Sequence, residues 1–65
     1  MRIMVNGAPH EVAGPTLAAV LDELGYGGSV VATAVNDDFV PVPGRAALGL
    51  APGDRIEVLA PMQGG

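Results

Sequence analysis

Sixty-five residues without a single cysteine make one small domain that has no disulfide and no thiolate metal site to brace it. A hydrophobic fraction of 49% is too high for a disordered chain, while one Tyr and one Phe are too few for a platform that stacks nucleic-acid bases. Seven acidic residues against three arginines leave a formal charge of −4, which repels phosphate backbones and anionic membranes and suits a basic protein partner.

The start of the chain, residues 1–7, turns polar too early for a signal-peptide core, and no apolar run approaches membrane-spanning length. The expectation is a cytoplasmic protein that engages neither membrane nor nucleic acid. The basic residues are Arg2, Arg45 and Arg55, with no lysine, which counts against a modifier that builds chains on its own side chains.

Residues 1–5 read as a strand with Ile3 and Val5 on one face and Arg2 and Met4 on the other. Asn6-Gly7 tolerates the positive φ angles of a type I′ turn, so residues 8–12 return antiparallel, with Pro9 marking an edge. Thr16 is a suitable N-cap for a helix over 17–24, in which Leu17, Val20, Leu21 and Leu24 form an apolar stripe closed by Gly25. A helix this short needs packing on a sheet to persist.

Residues 30–35 are apolar on both faces, as an inner strand would be, and Asn36-Asp37-Asp38 turns the chain. The stretch 39–44 reads as a short edge strand because Pro41 and Pro43 remove ladder donors, and 45–48 as a single helical turn. Pro52-Gly53 suits a type II turn before a last strand over 55–60, with Ile56, Val58 and Ala60 facing inward and Arg55, Glu57 and Leu59 outward. A hairpin, a helix crossing one sheet face and then further strands describe an α+β, ubiquitin-like β-grasp fold. It would have a mixed sheet of four to five strands, with the first and last strands parallel at its centre.

Pro61 cannot extend the ladder, so the chain divides into a domain over 1–60 and a flexible tail over 61–65 that reaches roughly 16 Å when extended. Gly64 and Gly65 give that tail the thinnest backbone available, able to enter a narrow channel. A trimmed linker would leave the same ending, so the Gly-Gly pair gains meaning only from the domain before it. Other residues invite plainer readings. His10 is a lone surface histidine, Asp37-Asp38 is turn chemistry, and the glycine-rich piece from Gly25 to Gly28 lacks the Lys and Ser/Thr of a phosphate loop. No metal site and no catalytic side chain are expected, and no nucleotide should bind to the chain itself. Leu59, facing outward beside the tail, forms with Met62 and Gln63 a candidate docking patch, to which Asp54 and Glu57 could add charge.

Asn6-Gly7 after the first strand, Thr16-Leu17 opening the helix, Val31 to Asn36 followed by Val40-Pro41, Gly53-Asp54-Arg55-Ile56-Glu57-Val58 and the ending Met62-Gln63-Gly64-Gly65 together resemble the ThiS family of sulfur carriers from thiamine biosynthesis. The resemblance covers nearly the whole chain and is weakest over Val42 to Ala47. It implies that an E1-like adenylyltransferase (ThiF-type) uses ATP to adenylylate Gly65. A sulfur-donor enzyme then helps convert the end to a thiocarboxylate, and thiazole synthase (ThiG-type) consumes it. By the same resemblance Gly64 and Gly65 are the functional positions, and ATP belongs to the partner. Two relatives with the same terminal glycines stay as alternatives: the small subunit of molybdopterin synthase, and a ubiquitin-like modifier. A plain β-grasp binding module is a third.

Overall fold

The computed structural model describes residues 1–61. The expectations placed on Met62, Gln63, Gly64 and Gly65 therefore lie outside the described residues.

Strands β1 (Arg2–Val5) and β2 (Ala8–Glu11) form the expected hairpin, and its turn residues Asn6 and Gly7 have φ of 50° and 83°, the signs a type I′ turn requires. The register pairs Val5 with Ala8 and Met4 with Pro9. A two-residue turn makes Val5 and Ala8 the bonded pair, so the backbones of Pro9 and Glu11 face away from β1. Pro9 thus stands where its missing N–H removes no ladder bond.

Helix α1 (Leu17–Glu23) begins where Thr16 takes up an extended backbone and its Oγ1 accepts a hydrogen bond from the Ala19 N–H at 3.2 Å. Leu17, Val20 and Leu21 are buried and Leu24 is half-buried, so the stripe lies on the sheet as its spacing predicts. Gly25 closes the helix at φ 91°, a conformation that would strain any side chain. The Glu23 carboxylate accepts from the N–H groups of Ala13 and Gly14 at 2.8 and 2.9 Å, which ties the far end of α1 to the loop leading into it.

The second half supplies β3 (Ala32–Val35), β4 (Asp38–Val40), a 3₁₀ helix (Val42–Ala47) and β5 (Arg55–Leu59). The five strands run in the order β2-β1-β5-β3-β4, with β1 and β5 parallel and the other neighbours antiparallel. This mixed sheet with one main helix on one face is the ubiquitin-like β-grasp fold, and β5 is its central strand. Ile3, Val5, Val35, Ile56 and Val58 meet the stripe of α1 in one core, where burying each such side chain stabilises by about 1.5–3 kcal/mol.

Four expectations need correction. β3 is an inner strand by its pairing, but only one of its faces is covered: Ala32 is exposed and Ala34 half-exposed, and Val30 lies before the strand in solvent. Ala60 is exposed and beyond the end of β5, so it adds nothing to the core. The β4 strand stops at Val40, before the Pro41 that was expected to lie within it. The helical turn starts at Val42 rather than Arg45, because Pro43 falls in the first turn of the 3₁₀ helix, where a missing N–H leaves no bond unmade.

That 3₁₀ helix lies against α1 and is fastened to the sheet by polar contacts. The buried Thr33 hydroxyl donates to the Val40 carbonyl at 2.9 Å and accepts from Arg45 Nε at 3.2 Å, while Arg45 Nη2 donates to the carbonyl of Val31.

Candidate functional site

The last described strand is the central one of the sheet, with two strands on either side of it. β5 pairs in parallel with β1 through Met4↔Arg55 and Val5↔Ile56, and antiparallel with β3 from Val35↔Ile56 to Ala32↔Leu59. Its alternation is complete: Ile56 and Val58 are buried, whereas Arg55, Glu57 and Leu59 are exposed on the face opposite the helix. The chain then leaves through Ala60 and Pro61, both exposed. The C-terminal segment therefore starts from a strand that the core holds rigidly.

Leu59 points into solvent, as its register predicts, and is 69% exposed. It does not stand alone. Phe39, also 69% exposed, pairs across β4 and β3 with Ala34, and the two large side chains line one shallow concavity with Ala32, Ala34 and Glu57. A second groove beside the strand's end is lined by Val30, Val31, Ala32, Leu59, Ala60 and Pro61. The open face of the sheet thus carries an apolar surface next to the point where the chain exits, with one carboxylate, Glu57, in its midst. Glu57 takes no part in the ion pairs among the described residues, which join Met1 and Arg2 to Glu11 and Arg55 to Asp37.

Phe39, Val30 and Ala32 escaped the sequence reading. For Phe39 the signal was available: Val40 had to face the core, so its neighbour had to face outward. Asp54 fits the patch less well than expected. Its Oδ2 accepts from the Ala51 N–H at 2.8 Å and its Oδ1 from Asn36 Nδ2 at 3.1 Å, so this carboxylate is engaged in the turn before β5. Asp37 pairs with Arg55 at 2.9 Å across an exposed surface, in keeping with turn chemistry, and His10 is exposed on the edge strand. Among the described residues, no group of three or more His, Cys, Asp and Glu side chains is placed to hold a metal ion, and no helix is long and apolar enough to cross a membrane.

With a central strand leading to a C-terminal Gly-Gly, the remaining question is which β-grasp family this is. The sequence model of the ThiS family matches residues 3–65. The chain belongs to the ThiS family. It is 39% identical over 66 residues to the sulfur carrier protein ThiS of Thermus thermophilus, an alignment that covers 97% of this chain and 98% of that one. The crystal structure of the thiamine biosynthesis protein ThiS from Geobacter metallireducens superposes with a TM-score of 0.83 at 28% identity, with both chains fully covered. The solution structure of a thiamine biosynthesis protein from the same organism gives a TM-score of 0.79 at 28% identity, covering 100% of this chain and 88% of that one. The family match runs through the whole segment from the end of β5 to Gly65.

Proposed function

We propose that this ThiS-family chain is a sulfur carrier for thiazole formation in thiamine biosynthesis, working in the cytoplasm, with the carboxylate of Gly65 as its reacting group. The observation that carries this reading is a family match extending to the terminal glycines behind a rigid central strand.

The chemistry follows from the group available. A carboxylate is a poor electrophile because its charge is delocalised over two oxygens and neither departs readily. In the proposed cycle a carboxylate oxygen of Gly65 attacks the α-phosphorus of ATP in an E1-like, ThiF-type adenylyltransferase, releasing pyrophosphate and leaving an acyl-adenylate. A sulfur nucleophile from a donor enzyme then adds to the acyl carbon and AMP departs. Where that nucleophile is an enzyme-bound persulfide, a thiol attacks the donor-side sulfur of the acyl disulfide, forming a disulfide there and releasing the terminal thiocarboxylate, a soft anionic nucleophile that passes its sulfur to the substrate of a ThiG-type thiazole synthase. The acyl-adenylate also reacts with water, so it must form in an enclosed site. Gly64 and Gly65, without Cβ atoms, let the enclosing walls approach the backbone.

The carrier binds no nucleotide and supplies no catalytic side chain in this reading; it supplies a handle. Leu59 with Met62 and Gln63 forms the docking patch, joined by Phe39 on the same sheet face. Glu57 and the chain's net charge of −4 favour a basic partner surface. The test is carrier-dependent exchange of pyrophosphate into ATP by the adenylyltransferase. The full chain should support exchange and a chain lacking Gly65 should not. Equal exchange with both would overturn the reading.

A further inference from the structure

β1 ends at Val5, and its backbone makes a last bond to β5 through the Asn6 N–H, which donates to the Ile56 carbonyl at 2.9 Å. There the chain turns away into the hairpin, so no backbone of β1 continues alongside Val58. The Asn6 side chain takes its place. Asn6 Oδ1 accepts from the Val58 N–H at 2.8 Å, and Asn6 Nδ2 donates to the Val58 carbonyl at 3.1 Å. One side-chain amide, with its paired donor and acceptor, thus stands in for a peptide unit and prolongs the parallel ladder by one step.

We infer that Asn6 is a positioning residue for the C-terminal tail, fixing the end of the central strand from which the reacting carboxylate is presented. Val58 directs both its N–H and its carbonyl to Asn6 and sits opposite Thr33 on β3 as a non-hydrogen-bonded pair, so Asn6 alone anchors this backbone unit, only three residues before Pro61. The residue type is doubly required. The turn needs a positive φ, which Asn, Asp and Gly accept more readily than other residues, and the ladder needs a donor and an acceptor on one short side chain. Asn36 offers a useful contrast. It too sits at φ 50° in a hairpin turn, and its Oδ1 accepts from the Arg55 N–H at 3.0 Å, but its Nδ2 goes to the Asp54 side chain. Asn36 therefore secures the beginning of β5, and Asn6 its exit.

The functional part of this inference rests on the sulfur-carrier reading, whereas its structural part does not. Asn6→Gly keeps the left-handed turn and removes both side-chain bonds, and Asn6→Asp keeps the turn and the acceptor while losing the donor. In amide hydrogen exchange, Asn6→Gly should speed exchange at Val58 by about 10- to 100-fold, with Asn6→Asp between it and the wild type, while the Ile3 and Val5 amides change little. With the adenylyltransferase, Asn6→Gly should raise the KM for the carrier several-fold with a smaller change in kcat. Thr16→Ala, a comparable destabilisation at the helix start, should leave KM unchanged at a temperature where both variants are folded. Unaltered exchange at Val58, or KM values that move equally in Asn6→Gly and Thr16→Ala, would overturn the assignment. If Asn6→Gly does not fold, the same comparisons made with Asn6→Asp decide. A wild-type chain that is never adenylylated refutes the carrier reading instead, and leaves the Val58 exchange result to judge the clamp.

Discussion

β5 has one face in the core and one in solvent, so two alanine substitutions three residues apart should separate folding from partner recognition. Ile56 is 1% exposed at the centre of the sheet, beneath the stripe of α1. Truncating such a side chain to Ala removes buried methyl groups and leaves a cavity, at a cost of about 2–5 kcal/mol. A domain of this size has roughly 3–10 kcal/mol of total stability at about 0.05–0.15 kcal/mol per residue, so Ile56→Ala should remove a large share of it. With 1 kcal/mol worth about 4–8 °C in a domain of this size, its Tm should fall by roughly 8–40 °C. Leu59 is 69% exposed, and Leu59→Ala should change stability by no more than about 0.5 kcal/mol. In the assay with the adenylyltransferase the ranking reverses. At a temperature where both variants are folded, Ile56→Ala should be charged normally. Leu59→Ala should need about 5- to 30-fold more carrier for half-maximal rate, the equivalent of a docking contact worth about 1–2 kcal/mol. Thermal unfolding by circular dichroism and initial-rate kinetics give both numbers. If Leu59→Ala unfolds as early as Ile56→Ala, or is charged as readily as the wild type, the division of β5 into a core face and a docking face is wrong.

Two further expectations concern the frame alone. Thr16→Ala removes the Oγ1 acceptor for the Ala19 N–H and should cost about 1 kcal/mol, read as a Tm lowered by about 4–8 °C. Gly25→Ala should cost about 1–2 kcal/mol in denaturant unfolding, since φ 91° strains a side chain even though no neighbour lies within 4 Å of the added methyl. Gly28→Ala, equally uncrowded but without a left-handed backbone, should be neutral or stabilising by up to about 1 kcal/mol. Equal effects at the two glycines would contradict the conformational explanation.

Much of the frame was legible because the deciding interactions are local. Asn6-Gly7 can close a hairpin on its own geometry, Thr16 caps the helix three residues ahead, and the stripe from Leu17 to Leu24 needs only helical spacing. The errors fall where a residue type permits two local outcomes. Pro41 and Pro43 forbid a central strand, but they also suit the start of a helix, and the 3₁₀ helix took the second option. Val30 and Ala60 are apolar enough to suit the sheet, yet pairing ends before each of them and both face solvent. The clamp from Asn6 to Val58 spans 52 residues and could not be read from either neighbourhood. Of the candidate site, Leu59 follows from strand alternation and the outward direction of Phe39 from the same rule, whereas their meeting on one surface depends on β4 lying beside β3.

The account stands or falls on the chemistry of Gly65. Incubating the chain with its adenylyltransferase, ATP and a sulfur source, and then measuring intact and fragment masses, should show one oxygen replaced by one sulfur on the terminal glycine, and no such change when a bulky residue replaces Gly65. Sulfur gained equally by the bulky variant, or a covalent amide adduct in place of the thiocarboxylate, would contradict it.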